Sequence, residues 1–357
     1  MIYAKRESEE LKMKMKKTFA AMLAGVMCVG MMAGCGSQNG TEGSATTGIA
    51  ESEGYEGTMT FVISHKDEYL GALDQGVKSA ANAQGIELKS VDCADDMDKQ
   101  IEYVRAAEAD GENVVMVVLA DDTRADEIIE AAGDMKVVFV NRIPQDTSLL
   151  DADHVYVGSN EDTSGKMQGE MLAEALKAEG KSEINYILIK GTEGLIHTQK
   201  RSEGVLTALK NAGITTNAVT DPVDCGYDRS KAMEQVSVMI ADGIDMANVD
   251  VILANNDAMA LGALEALKQN NVDTSSIDIV GIDGTNAGLK AIVDGDMVAT
   301  VYQNAAGQAS AGVQAAINLA TGAELTNNMK YKQAQDNDSI VWVPFEEITA
   351  DNVGDYY

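Results

Sequence analysis

The sequence predicts an α/β protein of two Rossmann-like lobes with parallel sheets, and three observations support this fold class. From residue 58 onward, short runs rich in Val and Ile alternate with helical segments, as expected for strands that helices cover on both faces. The runs form two series of five, which suggests two similar lobes. The folded part, at about 300 residues, also exceeds the usual size of a single core.

Five predicted strands precede residue 160 and five follow it. The first series is Thr60–Ser64, Ile86–Val91, Val114–Ala120, Val137–Asn141 and Val155–Gly158, and the second is Ile184–Lys190, Thr216–Val219, Val251–Asn255, Ile277–Ile282 and Val298–Tyr302. Helices with Ala, Leu and Ile at spacings of three and four residues are expected between them. The main ones are Leu70–Gln84, Asp98–Asp110, Thr163–Ala178, Ser202–Asn211, Arg229–Ala241 and Ala258–Asn270.

The N-terminal segment has the features of a secretory signal of the lipoprotein type. A basic run precedes the uncharged stretch 18–34, which ends in Met-Ala-Gly before Cys35 and resembles a lipobox. A membrane-spanning helix is the alternative, but it needs about 20 strongly apolar residues and this stretch is shorter and Gly-rich. We therefore expect residues 1–34 to be removed and Cys35 to carry the lipid (palmitate among its acyl chains).

Two further expectations concern the same end of the chain. Acidic residues are unusual in the basic part of a signal, so Glu7, Glu9 and Glu10 indicate that translation starts at Met13 or Met15 rather than Met1. Residues 35–57 are rich in Gly, Ser, Thr and Glu and have almost nothing apolar to bury, so we expect a disordered tether. The protein would be extracytoplasmic and held at the cell membrane through this anchor alone.

Composition excludes several classes of function. The net charge of −30 at pH 7 repels nucleic acid and anionic lipid surfaces. Cys93 and Cys225 fall in different predicted lobes, so a disulfide is not expected. The three His residues have no metal-ligand spacing, and neither remaining Cys lies in a nucleophile motif. We expect no metal, no cofactor and no enzymatic activity.

Polar residues follow nearly every predicted strand, at the edge where parallel sheets bind their ligands. They occur in the segments Ser64–Tyr69, Ala120–Thr123, Asn141–Arg142, Gly191–Arg201, Asp221–Tyr227, Asn255–Asp257, Asp283–Asn286 and Gln303–Asn304. Carboxylates and amide oxygens accept hydrogen bonds from hydroxyls, Arg and amide nitrogens donate them, and an aromatic face covers the C–H side of a ring. This set is suited to a small polyhydroxylated ligand.

Several stretches of the chain resemble the type I periplasmic binding proteins of sugar ABC transporters, of the galactose/glucose type with ribose-type features. The similarity covers about residues 58–346 and is densest in VVFVNRIP, VYVGSNEDTSGKMQGE, VILANNDAMALGALEALK and IDIVGIDGTNAGL.

The resemblance implies a monomer that binds a monosaccharide by hinge closure. It also implies that the chain crosses between the lobes three times, near residues 158–160, 303–305 and 343–345. The N-terminal lobe would then comprise residues 58–158 and 304–343, and the C-terminal lobe residues 159–303 and 344–357. The protein would deliver the sugar to an ABC permease and its ATPase; a galactose- or glucose-like hexose is favoured, and a pentose or an inositol is the alternative.

The resemblance also assigns roles by position. The residues that it places on the ligand are Asp67, Tyr69, Asn141, Arg142, His197, Arg201, Tyr227, Asn256, Asp283 and Gln303. Other interpretations remain open for several of them. Asn256 and Asp283 are also good helix caps, Arg201 could pair with Glu203 on a helix surface, and Tyr227 and His197 could be ordinary loop residues.

The sequence departs from the galactose type at two places. Leu195 and His197 stand where that type has a His and an Asp, so one hydroxyl contact is lost. The segment 178–184 is too short and too poor in oxygen ligands for the family's calcium loop, so calcium is not expected. A sensory receptor with the same lobes is the alternative function. A repressor of the same fold class would need DNA-binding helices at its N-terminus, where the lipobox stands instead. An enzyme of this fold would need a set of catalytic residues, and we find none in the sequence.

Overall fold

The structure is a computed structural model that describes residue 55 and residues 57–356. The expected signal, Cys35, the alternative start sites and almost all of the tether lie outside the described residues. Within residues 57–356, no helix is long and apolar enough to cross a membrane. Cys93 and Cys225 are both free and buried, so the prediction of no disulfide between them is confirmed.

The first sheet has seven strands in the order β12-β13-β5-β4-β3-β1-β2. Its strands are β1 (Thr58–Ile63), β2 (Glu87–Asp92), β3 (Val114–Val117), β4 (Lys136–Val140), β5 (His154–Gly158), β12 (Lys332–Gln333) and β13 (Ile340–Trp342). Four helices cover it: α1 (Glu68–Ala83), α2 (Met97–Ala109), α3 (Ala125–Ala132) and α9 (Ala305–Thr321). We call this sheet with its helices lobe 1.

Lobe 1 buries both faces of its sheet, which explains the continuous apolar runs in the sequence. Side chains of β1 alternate between the faces: Phe61 and Ile63 pack with α1 and α9, while Val62 packs with α2 and α3. All three are fully buried. Burial of the apolar side chains on both faces therefore holds the sheet between two helical layers.

Lobe 2 repeats this arrangement around a seven-stranded sheet in the order β14-β11-β10-β9-β6-β7, with β8 paired to β6. Its strands are β6 (Glu183–Lys190), β7 (Thr215–Ala218), β8 (Val223–Asp224), β9 (Val251–Ala254), β10 (Asp278–Asp283), β11 (Ala299–Gln303) and β14 (Phe345–Thr349). Its helices are α4 (Glu161–Ala178), α5 (Ile196–Asn211), α6 (Arg229–Ala241), α7 (Asp257–Gln269) and α8 (Asn286–Asp294). Helices α4 and α5 pack on one face, and α6, α7 and α8 pack on the other.

The chain crosses between the sheets after β5, after β11 and after β13, and the predicted fold class is confirmed. The prediction of wholly parallel sheets is wrong at two edges, where β12 runs antiparallel to β13 and β14 antiparallel to β11. The third crossover has only two residues between β13 and β14. Because β11 runs toward the crossovers and β14 runs away from them, the two strands must be antiparallel.

Candidate ligand-binding cleft

The ten residues assigned to the ligand come from both lobes and lie at the carboxyl ends of the strands, between the two sheets. Nine of them are buried, and Asp67 is partly exposed at the rim. Contacts link the two halves: His197 Nε2 lies 3.0 Å from the carbonyl oxygen of Asn141. Within lobe 2, Asn256 Nδ2 donates to the carbonyl oxygen of Tyr227 at 3.5 Å. The structure therefore brings the predicted site residues to one place.

Arg201 lies at the centre of this cleft and is held by acceptors of the protein. Its Nε and Nη2 donate to the two carboxylate oxygens of Glu161 at 3.0 and 2.8 Å, and its Nη1 donates to the carbonyl of Asn255 at 3.0 Å. Its guanidinium carbon lies 5.8 Å from the ring centroid of Tyr227, within cation–π range. The surface pair with Glu203 does not form, since Glu203 accepts instead from Gln199.

Glu161 is the residue of this cluster that sequence reasoning missed. It is the first residue of α4, where an acidic side chain is already explained by its favourable interaction with the helix dipole. Burial alone would raise the pKa of Glu161, but the neighbouring Arg201 and His197 lower it. The available signal was its position, because Glu161 follows β5 at the carboxyl edge of the sheet, as the other site residues follow their strands.

Asp283 ends β10 and is 4 % exposed. Its carboxylate lies 3.7 Å from Arg201 Nη1, and burial raises the pKa of Asp283 well above its usual range. It does not cap α8, because Thr285 is the N-cap and accepts from the amide of Gly288. The capping alternative is therefore wrong for Asp283, and its side chain is free for another role.

The turn after Asp283 is held from behind by Asp257 of α7, which is fully buried. Asp257 accepts from Thr300 Oγ1 at 2.6 Å and from the amide of Thr285 at 2.8 Å. Burial raises the pKa of Asp257 to about 7. Gly284 has φ +67°, and a β-carbon there would lie 2.6 Å from Tyr302, so only glycine fits this position. These contacts give Asp257 a structural role behind the site.

Three of the candidate residues have a positive φ angle, which residues other than glycine rarely adopt. The φ angles are +67° for Asn141, +62° for Tyr227 and +125° for Asp283. Such conformations cost of order 1–3 kcal/mol each and are concentrated at functional sites. The surrounding contacts maintain these three strained conformations. The protein thus directs the three side chains into the cleft at a cost in stability.

Two candidates also serve as helix caps. Asn256 Oδ1 accepts from the amide of Met259 at 2.9 Å, and Asp67 Oδ1 accepts from the amide of Leu70 at 2.6 Å. The other oxygen of Asp67 lies 3.4 Å from His65 Nε2. Burial alone would lower the pKa of His65, but Asp67 and Asp95 raise it to about 9. His65 is therefore protonated at neutral pH and offsets the charge of Asp67.

Contacts across the cleft hold the lobes in a closed arrangement. Asp122, which follows β3 in lobe 1, accepts from the amide of Ile196 at the start of α5 in lobe 2 at 2.8 Å. Arg229 of α6 lies 3.0 Å from Glu68 of α1. Since Leu195 provides no side-chain cap for α5, the carboxylate of Asp122 satisfies this helix end from the opposite lobe.

Several buried polar atoms in the cleft have no hydrogen-bond partner within the described residues. They include Tyr69 Oη, His197 Nδ1, Asn255 Nδ2 and Gln303 Nε2. Buried polar groups nearly always find partners, so each of these atoms is suited to a hydrogen bond with a bound molecule. Arg142, at 4 % exposure, adds a buried guanidinium that donates to the carbonyl of Leu119. Donors and acceptors thus converge on the cleft from both lobes.

Acidification is expected to destabilise the protein through His197. Burial lowers the pKa of His197 to about 4, below the 6.5 of an exposed histidine. Between pH 6.5 and about 4, His197 is protonated in the unfolded chain but not in the folded protein. The free energy of unfolding therefore falls by about 3 kcal/mol as the pH falls through this range. Urea unfolding at pH 7 and pH 4 should show a smaller loss for His197→Gln than for the wild type. His154→Gln is the control, and an unchanged loss in His197→Gln would contradict the prediction.

The fold and the cleft together define a two-lobed binding protein, and comparisons with known proteins agree. Residues 59–324 match the periplasmic binding protein domain, and the chain belongs to this family. Within the described residues, no group of three or more His, Cys, Asp or Glu could hold a metal ion. The family is one of sugar-binding transport proteins and not of enzymes.

The chain is similar to particular members over most of its length. It is 28 % identical to the D-galactose/methyl-galactoside binding periplasmic protein of Haemophilus influenzae, covering 83 % of this chain and 90 % of that one. It is 27 % identical to the ribose import binding protein of the same organism, covering 77 % and 89 %. A solute binding protein from Bacillus halodurans, solved with bound myo-inositol, superposes with a TM-score of 0.70 at 26 % identity, covering 85 % and 98 %.

Proposed function

We propose that the protein binds a neutral monosaccharide or cyclic polyol in the cleft between its lobes and delivers it to an ABC permease and its ATPase. The observation that carries this proposal is the buried cluster of hydroxyl-binding groups from both lobes. Asp283 accepts, Gln303 Nε2 and Arg142 donate, and Tyr69 can do either. Closure of the lobes would surround a small ring with these groups.

A galactose- or glucose-like hexose remains the favoured ligand, with a pentose or an inositol as the other members of the class. The names of the two relatives described above give D-galactose with methyl-galactoside, and ribose, as their ligands, and the Bacillus halodurans protein was solved with bound myo-inositol. A hydroxylated ring of five or six atoms is common to these ligands. His197 stands where the galactose type has an Asp, which accepts a hydrogen bond from a sugar hydroxyl. This difference supports a ligand in which one hydroxyl is arranged differently.

A thermal-shift screen tests this function directly. A ligand that binds only the folded state stabilises it by about 2.7 kcal/mol at one hundred times its Kd. We expect one or more of D-galactose, D-glucose, D-ribose and myo-inositol to raise the Tm by several degrees. Glycerol, which is hydroxylated but has no ring, is the control. If no aldose or cyclic polyol shifts the Tm at millimolar concentration, the proposal is wrong.

We also propose that the mature protein is a monomer held outside the cell membrane by a lipid on Cys35. The motif before Cys35 supports the anchor, and the extracytoplasmic setting of the family supports the location. Mass spectrometry of membrane fractions is expected to find an acylated N-terminus at Cys35. In Cys35→Ala the protein should lose acylation and membrane association; retention of both would contradict the anchor.

A further inference from the structure

Helix α5 differs from the other helices in how its N-terminus is capped. Seven of the nine α-helices within residues 57–356 have an N-cap side chain that accepts a hydrogen bond from the first turn of the same helix. Helix α3 has none, but it continues a short 3₁₀ turn that Asp121 caps. In α5 the N-cap is Leu195, whose side chain has no acceptor. The first amides of α5 therefore depend on a group from elsewhere in the chain.

Asp122 of lobe 1 provides this group. Its Oδ2 accepts from the amide of Ile196, the first residue of α5, at 2.8 Å. A carboxylate at this place also interacts favourably with the helix dipole. Lobe 1 fixes the position of Asp122 independently, because its carbonyl oxygen accepts from the amide of Gln145 at 2.9 Å. Asp122 is 1 % exposed, so its carboxylate lies between the lobes and not in solvent.

The first two turns of α5 carry residues of the cleft. His197 and Arg201 are two of the assigned ligand residues, and Thr198 Oγ1 lies 2.9 Å from Tyr227 Oη, where it steadies that ring. The ends of helices fray more readily than their middles, and a cap opposes this. Whether Asp122 is in place thus determines how firmly the side chains at the start of α5 are held.

We propose that Asp122 is a positioning residue that couples closure of the lobes to assembly of the binding site. When the lobes separate, α5 loses the Asp122 carboxylate, and its first turn, with His197 and Thr198, becomes free to fray. When they close, the carboxylate returns and fixes that turn around the ligand. Asp122 would thus raise affinity through α5 without touching the ligand. This inference rests on the proposed function, because it requires a ligand in the cleft.

Three substitutions separate this role from others. Asp122→Ala removes the cap, whereas Asp122→Asn keeps an acceptor for the Ile196 amide, since Asn and Asp cap helices about equally well. Asp121→Ala is the matched control, because Asp121 accepts from the amide of Thr123 at 2.9 Å within lobe 1. Calorimetry would measure the Kd of each variant for whichever of D-galactose, D-glucose, D-ribose and myo-inositol the wild type binds. Hydrogen exchange of the backbone amides of residues 196–199, with and without that ring, would follow the first turn of α5.

We expect Asp122→Ala to weaken binding about three- to tenfold, or about 0.7–1.4 kcal/mol, which is the usual effect of losing a helix cap. Asp122→Asn and Asp121→Ala should bind within about twofold of the wild type. The ring should slow exchange at residues 196–199 in the wild type and in Asp122→Asn, and much less in Asp122→Ala.

An unchanged Kd in Asp122→Ala would overturn the positioning role. Equal weakening by Asp122→Ala and Asp122→Asn, with exchange at residues 196–199 as in the wild type, would also overturn it, because Asp122 would then act on the ligand itself. In both cases the wild type still binds a ring, so the proposed function stands. If the wild type binds none of the four rings, the proposed function fails, and the role of Asp122 fails with it.

Discussion

Replacing Asp283 with Asn is expected to weaken binding of the sugar by about tenfold or more without unfolding the protein. A buried hydrogen-bonding group that loses its partner costs about 1–3 kcal/mol, and about 1.4 kcal/mol corresponds to a factor of ten in Kd. Asp283 is buried and points into the cleft, and Thr285 rather than Asp283 caps the helix that follows. Asn keeps the shape of the side chain but replaces one carboxyl oxygen with an amide nitrogen that cannot accept a hydrogen bond, so the loss should appear in affinity.

The same strand provides a matched control for this experiment. Asp278 begins β10, at the end of the strand opposite to Asp283, and its side chain is 15 % exposed. Asp278→Asn makes the same chemical change outside the cleft and should leave the Kd unchanged. Calorimetry on both variants, with urea unfolding to verify the fold, decides the matter. A wild-type Kd for Asp283→Asn would remove Asp283 from the site and undermine the alignment of lobe 2.

Replacing Glu161 with Gln is expected to lower the free energy of unfolding by about 3–5 kcal/mol, because it leaves the buried Arg201 without its charged partner. The side chains of Arg201 and Glu161 are 5 % and 6 % exposed, and two hydrogen bonds join them. Urea unfolding of the ligand-free protein measures the effect. A loss below about 1 kcal/mol would show that Arg201 finds other partners, such as Asp283.

Glu127→Gln is the surface counterpart of this change. Glu127 also forms two hydrogen bonds with an arginine, Arg124, but the two side chains are 42 % and 33 % exposed. An exposed pair of this kind contributes about 0–1 kcal/mol, so the control should be close to wild type in stability. In the double variant Glu161→Gln/Arg201→Met, part of the loss should be recovered, since no unpaired charge remains buried.

The strand pattern was predictable because the sheets are buried on both faces. Each of the ten predicted runs coincides with one of β1–β7 or β9–β11, shifted by at most a few residues. The strands that were not predicted, β8 and β12–β14, are only two to five residues long. β8, β12 and β14 are partly exposed and carry no continuous apolar run, and the apolar run of β13 is only three residues long. Their pairing depends on the crossovers and not on local pattern.

The sequence by itself determined the fold class, the family and the ten residues that converge on the cleft. It could do so because the resemblance to the family assigns those positions, and because the carboxyl ends of parallel strands meet at one edge, near which the assigned residues lie. Only the tertiary structure decided which partners hold them. Glu161 is 40 positions from Arg201, and Asp122 is 74 positions from the amide of Ile196 that it caps. No local pattern records such pairs: Glu161 and Arg201 meet where α4 and α5 of lobe 2 pack together, and Asp122 reaches Ile196 only because the two lobes lie against each other.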